Sequence, residues 1–245
     1  MRVAGLLTLT VSLAGCTSDG DLVRATYTDS FFQVPTDAVD ILWVVDNSLS
    51  MADEQAQVAE KFDDFIISLE KSELDFHIGI VTTDLEHVDH RGKLVAPEGE
   101  DVYLSQETED YIGKFKERIL VGIDGDDKEK GIDAAYNALS EPLISSWNGG
   151  FIREDATLSV IYVSDENDCT DRGSLAGYES GLSCYEHSDE LVSMYTLIED
   201  YSLLKTGGAR IMVSSIVGPD IVENCDGSVP GDRYRTMTEA FGGIQ

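Results

Sequence analysis

Hydrophobic residues in this chain occur in short continuous runs that alternate with amphipathic stretches. The first run, residues 41–45, is apolar and rich in β-branched side chains, which is typical of a strand buried on both faces of a parallel sheet. From residue 51 to about residue 71 the apolar positions recur at the spacing of one helical face, which predicts a helix. A polar turn of five residues separates the two elements.

The same alternation continues along the rest of the chain. Further strands are predicted at 75–84, 158–163 and 210–217, with a short edge strand at 93–96, and further helices near 132–139, 190–204 and 234–241. Strands that alternate with helices predict a doubly wound α/β fold, with a mostly parallel sheet and helices on both faces. We expect one such domain over residues 38–245, and whether the natural chain continues past Gln245 stays open.

Two of the predicted strands run directly into an aspartate. Asp46 follows the first run and opens the sequence Asp-Asn-Ser-Leu-Ser, and Asp165 follows the run at 158–163. If these strands are neighbours, both carboxylates lie at the sheet edge where open α/β sheets bind ligands. Together with the hydroxyls of Ser48 and Ser50 they form an all-oxygen set, which suits Mg²⁺ or Ca²⁺ and not zinc or copper. The alternative is that Ser50 only caps the following helix.

This arrangement resembles a von Willebrand factor type A domain. The metal-ion-dependent adhesion site of that family has a D-x-S-x-S motif after the first strand, a threonine in a later loop and an aspartate after the fourth strand. Asp46, Ser48 and Ser50 match the first part, Asp165 matches the last, and the resemblance covers residues 38–245. It implies a Rossmann-like fold and a non-enzymatic module whose divalent cation accepts an acidic side chain of a protein partner.

The chain departs from the family pattern at the threonine. The loop before the helix near 132–139 contains no hydroxyl. We expect an acid of this loop, Asp127 or its neighbour Asp126, to take the place of the threonine, which adds negative charge and favours Ca²⁺ over Mg²⁺. Thr82 and Thr83, at the end of another strand, are the other candidates.

Three functional classes are compatible with these residues. The strand ends carry no pairing of a serine or cysteine with a histidine, which favours a binding module over an enzyme. The second class is a metal-dependent hydrolase in which Glu166 activates a metal-bound water. The third is a scaffold that a metal only stabilises. His87 and His90, close to Asp84, are a separate candidate zinc pair that lacks a fourth ligand at an obvious spacing.

The first sixteen residues predict a targeting segment. A positive start is followed by an apolar stretch and by Leu-Ala-Gly-Cys ending at Cys16. This ending resembles the lipobox of bacterial lipoproteins, which implies a lipid on Cys16 and, because Thr17 and not an aspartate follows, an outer-membrane location. Residues 17–37 would form a tether. An ordinary secretory signal, which would give a soluble protein, is the alternative.

Export also permits disulfides. Cys169 and Cys184 bracket a Gly/Ser-rich segment and are expected to form a bridge, which leaves Cys225 without a partner.

The charge of the chain limits its partners. Lys and Arg number 17 against 47 Asp and Glu, a formal net charge of −30. Such a chain repels phosphate backbones and anionic lipid headgroups. We therefore expect no nucleic-acid partner, and membrane contact only through the lipid.

Overall fold

The fold is described from a computed structural model. It describes residues 37–178, 180–205, 209–219 and 228–245. The predictions for Cys16 and Cys225, and for the tether before residue 37, lie outside the described residues.

A single sheet of five strands forms the centre of the domain, in the order β3-β2-β1-β4-β5. The strands are β1 (Ala38–Val45), β2 (Asp75–Thr82), β3 (Leu104–Ser105), β4 (Thr157–Ser164) and β5 (Ile211–Val217). The four long strands are parallel, and β3 pairs antiparallel with β2. The central strand β1 therefore has parallel neighbours on both sides.

In the described part of the chain, six helices surround the sheet. They are α1 (Ala52–Lys71), α2 (Tyr111–Arg118), α3 (Gly131–Ala138), α4 (Ser183–Glu186), α5 (Met194–Ser202) and α6 (Asp232–Phe241). Short 3₁₀ turns lie at Leu49–Met51 and Ser188–Glu190. Within the described ranges, no helix is long and apolar enough to cross a membrane.

Successive residues of β1 belong to two separate cores. Leu42 and Val44 pack in one core with side chains of α3, α5 and α6. Ile41, Trp43 and Val45 pack in the other with side chains of α1 and α2. Because neighbouring side chains of a strand point to opposite faces, helices cover both sides of the sheet. The predicted doubly wound α/β fold is confirmed.

Helix α1 forms where the apolar spacing predicts it. Its buried side chains include Phe62 and Ile66, one turn apart, and Asp53 and Glu54 lie in its first turn, where the helix dipole favours negative charge. The ring of Phe62 stacks on Phe115 of α2, with centroids 3.4 Å apart. Burying each such ring stabilises the fold by about 1.5–3 kcal/mol, and the pair fixes α2 against α1.

The edge of the sheet differs from the sequence prediction. Residues 93–96 do not form a strand, and β3 occupies the edge. The backbone N–H of Leu94 donates to the side chain of Asn148 at 2.9 Å, and only Val95 donates to β2, at 2.8 Å from the Ile80 oxygen. A side chain thus replaces the ladder partner, and Pro97 offers no further N–H.

A buried carboxylate lies near the amino end of β1. The side chain of Asp40 is fully buried and accepts from the backbone N of Arg153 at 2.7 Å and from its Nε at 2.8 Å. The ammonium of Lys205 lies 3.5 Å away and is also buried. This ion cluster joins β1 to the segment that precedes β4 and to the one that follows α5.

Candidate functional site

The crevice between the carboxyl ends of β1 and β4 is the place where the topology favours a ligand. From β1 the chain passes to β2 on one side, and β4 lies on the other side of β1, so the connections diverge at this point. Val45 pairs with Val163, and the backbone N of Asp46 donates to the Val163 oxygen at 2.9 Å. The prediction that these two strands are neighbours in the sheet is confirmed. Asp46 and Asp165 both lie at the carboxyl ends of the strands.

The turn after β1 is held by hydrogen bonds to the Asp46 side chain. One carboxylate oxygen accepts from the backbone N of Ser48 at 2.7 Å, and the other accepts from the hydroxyl of Ser164 at 2.6 Å. The hydroxyls of Ser48 and Ser50 lie 3.2 Å apart. Helix α1 has Met51 as its N-cap and no side-chain cap bond. The alternative in which Ser50 merely caps this helix is therefore wrong.

The loop before α3 contributes Glu129, whose side chain is buried. The Glu129 carbonyl accepts from the backbone N of Cys169 at 2.7 Å, and the next residue, Lys130, donates its backbone N to the Thr83 oxygen at 3.1 Å. These bonds hold Glu129 between the segments that follow β2 and β4.

The two acids singled out from the sequence of this loop lie elsewhere. Asp127 is exposed. Asp126 is half-buried, and its carboxylate accepts from the backbone N of Lys128 at 2.9 Å. Asp126 thus stabilises the loop itself, and Asp127 faces solvent. Glu129, which the sequence analysis did not select, is the acid of this loop that points inward.

Four carboxylates form what we call the acidic cluster: Asp46, Glu129, Asp165 and Glu166. Burial raises the pKa of Asp46, and the charge of Asp165 raises it further, against the lowering effect of its hydrogen bonds. Burial followed by the charges of Asp46 and Asp165 raises the pKa of Glu166. Burial followed by the charges of Asp46 and Glu166 raises the pKa of Glu129 to about 10. The acids therefore lie within electrostatic range of one another.

Two oxygens of this cluster are buried and lack a partner. Asp165 Oδ1 and Glu129 Oε1 form no hydrogen bond in the structure, and Thr82 Oγ1, at the end of β2, forms none either. A buried polar atom without a partner costs about 1–3 kcal/mol, and more when it is charged. Such acceptors are satisfied by a positive charge, and an all-oxygen environment suits Mg²⁺ or Ca²⁺. The chemistry of the residues thus fits a hard divalent cation.

The acids do not by themselves enclose an ion. Across the described ranges, no three His, Cys, Asp or Glu side chains are grouped so that they would hold a metal. One reason is visible at Asp46, whose two oxygens are occupied by Ser48 and Ser164. Acidic side chains alone therefore could not coordinate a cation here. Hydroxyl groups or water would have to supply the remaining ligands.

A disulfide borders the acidic cluster. Cys169 and Cys184 are bonded, with Cα atoms 5.3 Å apart, as predicted. The loop they close ends beside Tyr185, whose hydroxyl lies 3.4 Å from the Glu166 carboxylate. Leu182 in this loop and Leu49 in the turn after β1 are 67% and 77% exposed. Leu49 thus leaves an apolar side chain exposed in the turn after β1.

Asp168, three residues after Asp165, has a structural role. Asp168 is buried and accepts from the backbone N of Ile132 at 3.0 Å, from the hydroxyl of Thr170 at 2.9 Å and from Arg233 at 3.1 Å. It therefore fixes the start of α3 and, through it, the position of Glu129.

Comparisons with known proteins include a distant structural likeness. No protein-family model matches the chain, and no curated protein matches it. Among solved structures, the chain is similar to the pilus adhesin RrgA from Streptococcus pneumoniae, with 11% sequence identity and a TM-score of 0.32. The match covers 54% of this chain and 20% of the adhesin. The chain thus matches a fifth of that protein's length, and a likeness this distant carries no argument about function.

Proposed function

We propose that this protein is a binding module that captures a protein partner through a divalent cation at the crevice between β1 and β4, in the manner of a von Willebrand factor type A domain. One observation carries the proposal. The D-x-S-x-S turn and Asp165 lie together at the switch point of a doubly wound sheet, where Glu129 and Glu166 are two further acids within electrostatic range.

The residues that would hold the cation are the hydroxyls of Ser48 and Ser50 and the carboxylates of Asp46 and Asp165, directly or through water. Glu129 takes the place of the family's threonine because it is the buried acid of the loop before α3. A bound cation would displace the proton that Glu129 holds in its absence, and the resulting carboxylate favours Ca²⁺, which accepts more carboxylate ligands than Mg²⁺ does. The cation supplies the positive charge that attracts an acidic side chain of the partner.

The surroundings of the crevice fit a protein ligand. Leu49, in the D-x-S-x-S turn itself, is 77% exposed, and apolar contacts around a central polar anchor are typical of protein interfaces. The net charge of −30 repels an acidic partner at a distance, but at 0.15 M salt screening confines this repulsion to about 8 Å. A short contact between the cation and a carboxylate is therefore retained.

The location of the module is part of the proposal. A lipid on Cys16 would anchor the chain in a bacterial cell envelope, at the outer membrane, with residues 17–37 as the tether. Radiolabelled palmitate should enter the expressed protein and should be absent from Cys16→Ala. Equal labelling of both proteins would contradict the anchor.

Calorimetry on the chelator-treated protein tests the cation site. We expect one divalent site whose affinity falls at least about tenfold in Asp46→Ala and in Asp165→Ala, because each removes a charged ligand. Asp75→Ala is the matched control, since Asp75 is an exposed acid at the opposite edge of the sheet. Wild-type binding by both ligand variants would refute the assignment.

The same titration decides which acid replaces the threonine. Glu129→Gln should weaken Ca²⁺ binding, and Asp127→Ala should leave it unchanged. The reverse result would restore Asp127 as the ligand.

Partner capture is tested with a peptide array that presents Asp or Glu among neutral residues. Binding should require Ca²⁺ or Mg²⁺, vanish with chelator and vanish in Asp46→Ala. Turnover of phosphoester or peptide substrates would instead support the hydrolase, with Glu166 as its base. Binding that survives chelation would support the scaffold.

A further inference from the structure

The segment that follows β2 carries a second cluster, which we call the histidine loop (residues 84–91). Asp84 is buried at its start. One of its carboxylate oxygens accepts from the backbone N of Glu86 at 2.7 Å and from that of His87 at 3.0 Å. The other lies 3.0 Å from Nδ1 of His90. A fixed, buried carboxylate therefore holds the His90 ring.

This contact sets the tautomer of His90. A carboxylate only accepts hydrogen bonds, so Nδ1 carries the proton and Nε2 presents its lone pair. Nε2 of His90 has no hydrogen-bond partner among the described residues. A histidine whose far nitrogen donates to a carboxylate is the usual form of a metal-ligating histidine.

The second imidazole lies close by. The rings of His87 and His90 have centroids 5.2 Å apart and are tilted by 48°. Nδ1 of His87 accepts from the backbone N of Asp89 at 3.4 Å and lies 3.9 Å from the Asp89 carboxylate. In this contact neutral His87 carries its proton on Nε2. Ligation through Nε2 therefore needs the other tautomer, in which Nδ1 is protonated and faces the Asp89 carboxylate 3.9 Å away. The Nε2 atom of His90 is available without such a change.

The spacing of the two rings agrees with shared coordination of one ion. Zinc lies about 2.0–2.1 Å from a ligating nitrogen, so the centroid of each ring lies about 3.2 Å from the metal. At a tetrahedral angle, two such centroids are about 5.2 Å apart. The observed separation is 5.2 Å.

We propose that His87 and His90 bind a zinc-like transition-metal ion through Nε2, with Asp84 as the residue that positions His90. Water completes the shell, since no group of three ligating side chains forms within the described ranges. Glu86 is not a ligand, because its carboxylate pairs with Lys130 at 2.9 Å. The site is accessible, with the His87 side chain 61% exposed. It differs from the acidic cluster in using nitrogen ligands.

Calorimetry with ZnCl₂ on the full chain tests the site. The protein carries no polyhistidine tag, has its disulfide intact and is held in excess Ca²⁺, so that oxygen sites are occupied. We expect one Zn²⁺ site, weakened about tenfold or more in His87→Ala and in His90→Ala. Asp84→Asn, which keeps both rings, should weaken binding by about 10–100-fold. Zinc-edge X-ray absorption should show two imidazole nitrogens.

Two control variants distinguish the histidine loop from a lone histidine and from the acidic cluster. His187→Ala should bind zinc like wild type. The His187 ring also contacts a carboxylate, that of Glu190 at 3.1 Å, but the ring next to it belongs to Tyr178 and is not a second imidazole. Asp46→Ala should also retain Zn²⁺ binding.

Loss of Zn²⁺ in Asp46→Ala would assign the ion to the acidic cluster and overturn the proposal. Equal Zn²⁺ binding by wild type, His87→Ala and His90→Ala would overturn it as well, as would the absence of any Zn²⁺ binding. Unchanged binding in Asp84→Asn would remove Asp84 from its positioning role. Because His87 is exposed, its variant should fold, and circular dichroism checks this.

Discussion

Replacing Asp40 by alanine should be among the most destabilising single changes in the sheet. The Asp40 carboxylate is fully buried in β1 and accepts two hydrogen bonds from Arg153. Lys205, with a side chain 3% exposed, lies 3.5 Å away. Without the carboxylate, the buried ammonium and the guanidinium lose their common counter-charge.

The size of the effect follows from this burial. Removing one member of a buried ion pair costs about 3–5 kcal/mol, because the remaining charge stays desolvated. In a domain of this size each kcal/mol lowers the melting temperature by about 2–4 °C, so we expect a fall of about 6–20 °C. Asp75 provides the matched control: it contacts the same Arg153 at 2.8 Å, but its side chain is 63% exposed. Asp75→Ala should cost about 0–1 kcal/mol.

Thermal and guanidinium unfolding, followed by circular dichroism, measure both variants against wild type. Calcium binding should survive in folded Asp40→Ala, because Asp40 lies at the opposite end of β1 from Asp46. If Asp40→Ala and Asp75→Ala shift the melting temperature equally, burial does not decide the strength of these pairs and the reasoning fails.

Three further predictions concern packing, pH and metal removal. Phe62→Ala should lower the free energy of unfolding by about 3–5 kcal/mol, because the ring is 1% exposed and stacks on Phe115; a loss below about 1 kcal/mol in guanidinium unfolding would contradict this. Burial by itself would raise the pKa of Asp171, but the hydrogen bond from Lys130 gives a net lowering. The Lys130–Asp171 pair therefore stabilises the fold at pH values above the ordinary pKa of aspartate, and this stabilisation is lost as the pH falls through the lowered pKa. Asp171→Asn should reduce the dependence of the free energy of unfolding on pH in the acid range. An unchanged pH dependence would contradict a stabilising role for the pair. Saturating Ca²⁺ at about 100 times its dissociation constant should add about 2.7 kcal/mol of stability, and the melting temperature should return to its apo value with chelator; no shift at any Ca²⁺ concentration would argue against a cation site.

The parts of the fold that the sequence predicts are those that depend on local pattern. The apolar runs of β1 and β4 and the aspartates after them are visible along the chain, and the parallel pairing of these strands follows from strand and helix alternation. Glu129 is different, because it and Asp127 are acids of one loop. Only the long-range bonds of this segment to Cys169 and Thr83 show which acid turns inward.

The same limit applies at two other positions. The sequence shows the spacing of His87 and His90 but not the burial of Asp84, which depends on the end of β2. It also predicts a strand at residues 93–96, whereas the backbone N–H of Leu94 donates to the side chain of Asn148. In each case a tertiary contact decides between local possibilities.

The position of β1 has a mechanical consequence. The chain enters β1 directly from the segment before residue 37, and the proposed partner site lies at the other end of the same strand. A pull between the proposed lipid anchor and a partner bound at the proposed site would load β1 from its two ends. Eight residue pairs with β2 and seven with β4 then bear the load in shear and would have to break together. A central strand loaded in this way resists extension far better than an edge strand peeled off one bond at a time.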